Sequence, residues 1–451
     1  MSTGAPSGRI SLGAGALPPG LSEKDVVVVR TYADAMWILA QQRVQQSPPA
    51  AEADVVGGNV NKLDGADHVR RRRALSRAFR RPALAWYKEN VTLPAIRRNL
   101  EQLLDDAGDS GVVHADLMVL LHRTLIEASG NFLGLHSADE ITDAQIDDLV
   151  QLYDTLDFAR EVRYTNLSDA ERARVVELGV EAKCSYAERH YECAHARALE
   201  RADHDDRPDE LDGWDDVISI IAKRLDPAYG EAEDLGLHES IFLLGAAVET
   251  TAQTTANVVA ELEQWFDAHP EDRALAVDEA FLADAVAETL RLRGHEAPGS
   301  ADRPPTLAVI RVATEDLTLP SGTTIREGQW IVVNLHDANT DPAVFGDDAH
   351  EFNPRRVVVD GVRKYALAFG HGPHYCIGLP MVVGEEGTDG SVAQLVKALY
   401  ECGLRVDRGN PGRWADHMIK LKWESFPVTF RRSDGSPHAE ADVAVVEPRS
   451  S

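Results

Sequence analysis

The chain has 451 residues, 44% of them hydrophobic, and sets 74 acidic side chains against 46 basic ones for a formal net charge of −28. This length and apolar content suffice for a large buried core, while the charge disfavours nucleic acid and anionic membrane surfaces as partners. Four cysteines (Cys184, Cys193, Cys376 and Cys402) are too few for a disulfide framework and agree with a reducing compartment.

In chain order, residues 1–22 are rich in Gly, Ser, Pro and Ala and predict a flexible arm. They lack the basic start, apolar run and cleavage site of a signal peptide. Nowhere do eighteen apolar residues run together, so a cytoplasmic protein is expected. Residues 23–432 contain no linker composition and no repeat, and are read as one domain; residues 433–451 predict a disordered tail. The Val26–Val29 run predicts a strand. Helical spacing covers 84–106, 115–134, 143–160, 168–200, 235–267 and 278–293. Further strands are expected as a pair, 323–325 and Trp330–Asn334, around Arg326-Glu327-Gly328, and near the end at 428–430. The expected fold class is therefore mainly α with small β-sheets. No βαβ order and no glycine-rich phosphate loop point to a nucleotide fold. Against the overall charge stands a basic run, Arg70 to Arg73 with Arg77, Arg80 and Arg81. Cys184, His190, Cys193 and His195 lack a metal spacing and are read as ordinary helix packing, and the acidic run 203–216 as a solvated loop.

The most informative segment is Phe369-Gly370-His371-Gly372-Pro373-His374-Tyr375-Cys376-Ile377-Gly378. Glycines let backbone approach a flat ligand, and N–H groups turned toward a sulfur stabilise its anion. A buried thiol in a turn is the bland alternative, and the dense glycine spacing argues against it. Zinc on His371, His374 and Cys376 would want a fourth ligand and a partner cluster, and none is visible.

Phe-Gly-x-Gly-x-His-x-Cys-x-Gly resembles the haem-ligand signature of the cytochrome P450 family. The resemblance extends over about residues 26–432. It implies a P450-like helical prism, with haem b buried between a long distal helix and a proximal cysteine loop. Cys376 would then be the axial thiolate on iron, favouring O–O cleavage. Phe369 and Gly378 would flank the cofactor, and His374 would reach a propionate. Glu288-Thr289-Leu290-Arg291 resembles the family's Glu-x-x-Arg pair, so Glu288 and Arg291 are assigned to structure. The third partner is expected within 349–356, with His350, Arg355 and Arg356 open. Asp67-His68-Val69-Arg70-Arg71-Arg72 resembles the bacterial His-x-x-x-Arg helix, which places His68 and Arg72 one turn apart on a propionate. Arg311 matches the arginine that meets the other propionate.

Gly245-Ala246-Ala247-Val248-Glu249-Thr250-Thr251 lies in the expected 235–267 helix, where clustered threonines and an acid among apolar residues conflict with local preference. It resembles the family's Ala-Gly-x-Glu-Thr-Thr distal motif, with Ala247 in place of the usual glycine. Ala246 would border the haem, and Glu249 with Thr250 would relay protons to oxygen activated there. For Thr254 and Thr255, back-bonding to the i−4 carbonyl is the simpler reading. Three departures stand out. The usual first helix is absent or short, residues 294–305 resemble an insertion, and 381–385 lack the common arginine, with Gly384, Gly387 and Gly390 interrupting the following helix.

The resemblance implies a bacterial-type monooxygenase that inserts one atom of O2 into a small apolar organic substrate, by hydroxylation or oxidative dealkylation. Electrons would come from a separate ferredoxin-type partner docking near Arg70, Arg73 and Arg77. A non-catalytic haem-thiolate sensor or carrier and a peroxide-driven peroxygenase remain as alternatives. Pocket walls are expected from 45–63, 157–169, the start of the long helix and 306–310.

Overall fold

The computed structural model describes residues 25–431 except 47–51, 106–110, 138–140, 204–214, 233, 299–306 and 385–389. The expected arm and tail lie outside the described residues. So do most of the acidic run, the greater part of the 294–305 stretch, Gly387, and parts of the pocket walls near 47–51 and at Thr306.

The core is organised on one helix, Leu235–Ala268, whose 34 residues run roughly 50 Å. Ile241, Leu244, Val248, Ala252, Val258, Val259 and Leu262 are buried on different sides of it, as a helix crossing the centre of a large body requires. The helices Leu117–Leu133 and Glu279–Arg293 pack directly on it. Helix Asp143–Arg160 begins at a capping box of Thr142 and Gln145, and Asp169–Tyr186 at one of Ser168 and Glu171, so both starts are set by local chemistry. The expected helices 84–106 and 168–200 each form as two α-segments joined by a π-helical turn, at Lys88–Thr92 and Ala187–Tyr191.

The main sheet has the order Val26–Val29, Trp330–Asn334, Ala308–Ala313, Val44–Gln46. This corrects the expected pairing around Arg326–Gly328. Thr324–Ile325 pairs with Leu317–Thr318 instead, because the turn carries the chain from one sheet to another. Pro427–Arg431 lies between Val112–Asp116 and Arg405–Val406, tying the end of the described chain to the start of the Leu117 helix. Among the described residues no helix is long and apolar enough to cross a membrane.

Glu288 and Arg291 are joined by two hydrogen bonds of 2.7 and 2.8 Å. Arg291 also donates to the carbonyls of Asn339 and Ala349, and both side chains are buried. The third partner is Arg356, whose Nε lies 2.8 Å from Glu288 Oε1. Arg355 turns away to Asp272, and His350 makes no contact with the pair. The helix after the cysteine is interrupted. Leu379–Val383 ends at Gly384 with φ +70°, and Ser391–Glu401 resumes the helical course.

Candidate active site

Gly370 and Gly372 both take φ +70°, and a Cβ on Gly372 would stand 2.4 Å from the Leu39 carbonyl oxygen. Only glycine lets this loop pass so close to the Tyr32–Leu39 helix. The Cys376 N–H then donates to the Phe369 carbonyl at 2.9 Å, closing the loop on itself. The N–H groups of Gly378 and Leu379 turn toward Sγ. Burial pushes the Cys376 thiol up, and these donors, with the Arg72 charge, offset part of that rise.

Beside the loop, four cationic or potentially cationic groups converge. The rings of His68 and His374 stack 4.0 Å apart, the Arg72 guanidinium lies 4.3 Å over the Tyr375 ring, and the buried Arg311 holds Gln46 at 3.0 Å. His374 Nε2 sits 3.3 Å from Asp64 Oδ1. Burial, then the charges of His68, Arg311 and Arg72, push His374 down to about 3. Two arginine charges beside two imidazoles able to donate N–H suit carboxylates, and a sulfur facing two N–H donors suits a thiolate ligand. The residues present therefore fit a haem, with its propionates on the cationic side. Arg71, part of the basic run, is a correction: it is buried and bonded to Asp226 and Glu239, fastening its helix to the central one.

On the central helix, Ala246, Ala247 and Thr250 share a partly open face, and Thr250 Oγ1 donates to the Ala246 carbonyl at 2.7 Å. Thr254 and Thr255 back-bond in the same way to Thr250 and Thr251. Glu249, about 100° around the helix from Thr250, enters a buried ionic cluster. Its Oε2 lies 3.0 Å from His122 Nε2, while its Oε1 lies 3.1 Å from both Gln253 Nε2 and Lys422 Nζ. Lys422 also reaches Glu161 at 2.8 Å, and Arg160 pairs with Asp157 and Glu161. Burial alone would raise the Glu249 carboxyl, but Lys422 and His122 outweigh it and hold the acid well below its usual range. A Cβ on Gly245 would stand 2.5 Å from Arg160 Nε, so the cluster requires a glycine there. Glu249 and Thr250 thus stand side by side in sequence but bond to different partners. Sequence reasoning missed His122 and Lys422. Lys422, a lysine between Leu421 and Trp423, carried the only local signal.

In the basic run, Arg73, Arg80 and Arg81 are exposed and Arg77 is half-buried, while Arg70 is held by Asp67 and Asp226. Among the described residues no ion pair involves Arg73, Arg77 or Arg80. His190 bonds Asp148 and His195 stacks on Tyr191, which is helix packing, and no metal-binding group of His, Cys, Asp or Glu occurs among the described residues.

The family model described as Cytochrome P450 matches residues 280–382, the stretch holding Glu288, Arg291 and Cys376. The mycinamicin IV hydroxylase/epoxidase of Micromonospora griseorubida is 28% identical over 424 residues, 91% of each chain. The cytochrome P450 monooxygenase PikC of Streptomyces venezuelae is 31% identical over 223 residues, 48% of this chain and 47% of that one. Among solved structures, CalO2 superposes with a TM-score of 0.65 at 22% identity, covering 90% of both chains. P450BioI, solved with a ligated acyl carrier protein, gives 0.62 at 22% identity, covering 90% of this chain and 92% of that one. These likenesses show the fold.

Proposed function

We propose that the chain is a cytochrome P450, as the family match and the relatives over most of its length support, and that it is a monooxygenase that inserts one atom of O2 into a small, largely apolar organic molecule, with electrons from a separate ferredoxin-type protein. The observation that carries this reading is the combination, in one fold, of a cysteine thiol facing the Gly378 and Leu379 N–H groups with a threonine hydroxyl on the open face of the central helix, next in sequence to a buried acid. Haem held there would supply the redox chemistry by which O2, two electrons and two protons give one oxygen atom to substrate and one to water.

The chain's own residues do the rest. Cys376 holds the iron, with its negative charge stabilised by the two N–H groups. His68, Arg72, Arg311 and His374 hold the propionates. Ala246 and Ala247 keep side-chain bulk low where oxygen must fit. Thr250, its proton otherwise shared with the Ala246 carbonyl, orients oxygen and passes on protons that Glu249 supplies. Asp157, Arg160 and Glu161 lie in an expected pocket wall but satisfy one another and Lys422, which supports an apolar substrate. Relatives named as hydroxylases, an epoxidase and an N-oxygenase make hydroxylation the default outcome, with dealkylation following where the attacked carbon bears a heteroatom.

Turnover supported by reduced ferredoxin is compared with turnover on peroxide alone. The proposal expects product from the first and little from the second. Equal yield on peroxide would make the protein a peroxygenase, and product from neither would favour a sensor or carrier.

A further inference from the structure

The Glu249 carboxylate is buried, so any proton it gives up must be replaced from solvent. Its Oε1 is held by Gln253, which is fully buried, and by Lys422, which is 9% exposed. Oε2 faces outward. His122, on the Leu117–Leu133 helix, sets Nε2 3.0 Å away, and its side chain is 23% exposed. Asp154 on the facing helix is exposed, and its charge acts on His122. The Tyr153 ring lies 5.9 Å from the imidazole. His122 therefore stands between solvent and the Glu249 carboxylate, which is next to Thr250 in sequence.

We propose that His122 is the residue that resupplies Glu249 with protons during turnover. The His122 Nε2–H bond breaks as an O–H bond forms on Glu249 Oε2, leaving a neutral imidazole that keeps its Nδ1–H; once Glu249 has passed the proton on, Nε2 takes a new one from solvent hydronium and the imidazolium is restored. This rests on the reading of Glu249 and Thr250 as a proton relay.

At rest the pair stays ionised. Burial opposes charge on His122, but its bond to Glu249 and the carboxylates of Glu249, Asp154 and Asp157 prevail, so the ring is held above an ordinary histidine. Beyond Glu249, the Lys422 charge keeps the acid ionised against the opposing charge of Glu161, while burial holds His295 down to about 4. The Glu249 carboxylate therefore holds no proton at rest, and one crosses from His122 only as the pocket draws it on through Glu249, so delivery and resupply are linked.

A purely structural ion pair makes a different forecast, and His122→Gln separates the two, since glutamine can donate to Glu249 but cannot titrate. In the holoenzyme, the expected result is unchanged substrate affinity, turnover at least roughly tenfold slower with more peroxide released, and no fall in rate where the natural protein is expected to slow as pH rises through the His122 titration. A second measurement does not use activity. In the diamagnetic ferrous carbon monoxide form, the NMR titration of His122 should have its midpoint above about 6.5, and Glu249→Gln and the exposed Asp154→Asn should each lower it. Wild-type rate and pH profile in His122→Gln, or a midpoint indifferent to Glu249→Gln, would overturn the proposal. If Thr250→Ala still lost product per electron, the relay reading would survive that result; if it did not, both would fall.

Discussion

At the scale of single residues, the distal helix divides two tasks between neighbours. Thr250 faces the open side and bonds only its own helix, so removing its hydroxyl leaves the fold intact. Thr250→Ala is therefore expected to consume electrons and oxygen at a near-normal rate while yielding less product and more peroxide, measured as product per electron. Unchanged coupling would assign proton delivery to another group. The loop residues around Cys376 were legible in sequence because glycine and cysteine at fixed spacing act within one short segment. His122 and Lys422 were not. They reach Glu249 from a different helix and from a segment some 170 residues further on, and although apolar neighbours mark Lys422 as a lysine out of place, nothing local names the acid that either will meet.

At the scale of elements, helix positions were readable from 3.6-residue periodicity and capping residues, as with Thr142 and Ser168, while strand partners were not. Trp330–Asn334 looked like half of a hairpin but pairs with Val26–Val29 and Ala308–Ala313, a choice set by which apolar faces meet in the assembled core. The third partner of Glu288 was undecidable for the same reason: Arg355 and Arg356 are adjacent, and only the path of the chain turns one inward. Glu288→Ala leaves Arg291 and Arg356 buried without their carboxylate, and is expected to cost about 3–5 kcal/mol of stability with loss of haem retention, read from denaturant unfolding. Arg355→Ala, which breaks a half-exposed pair with Asp272, should cost about 1 kcal/mol or less. Equal losses from the two variants would contradict the structural role given to Glu288.

At the scale of the whole molecule, a net charge of −28 repels acidic carriers, yet Arg73, Arg77 and Arg80, on and just beyond the helix that carries His68 and Arg72, make no ion pair among the described residues. Repulsion is screened beyond roughly 8–10 Å at physiological salt, so this local patch would guide an acidic ferredoxin. Reversing the charges of Arg73 and Arg77 is expected to slow the first electron transfer and flatten its salt dependence, with substrate affinity unchanged; equally fast reduction would place docking elsewhere. Everything in the account depends on the thiolate, and the reduced carbon monoxide spectrum tests it most directly. The natural protein should show the red-shifted absorption band of a thiolate-ligated haem, and Cys376→Ser should lose that band together with monooxygenase activity. A Cys376→Ser protein that kept the red-shifted band would contradict the assignment of Cys376 as the iron's ligand.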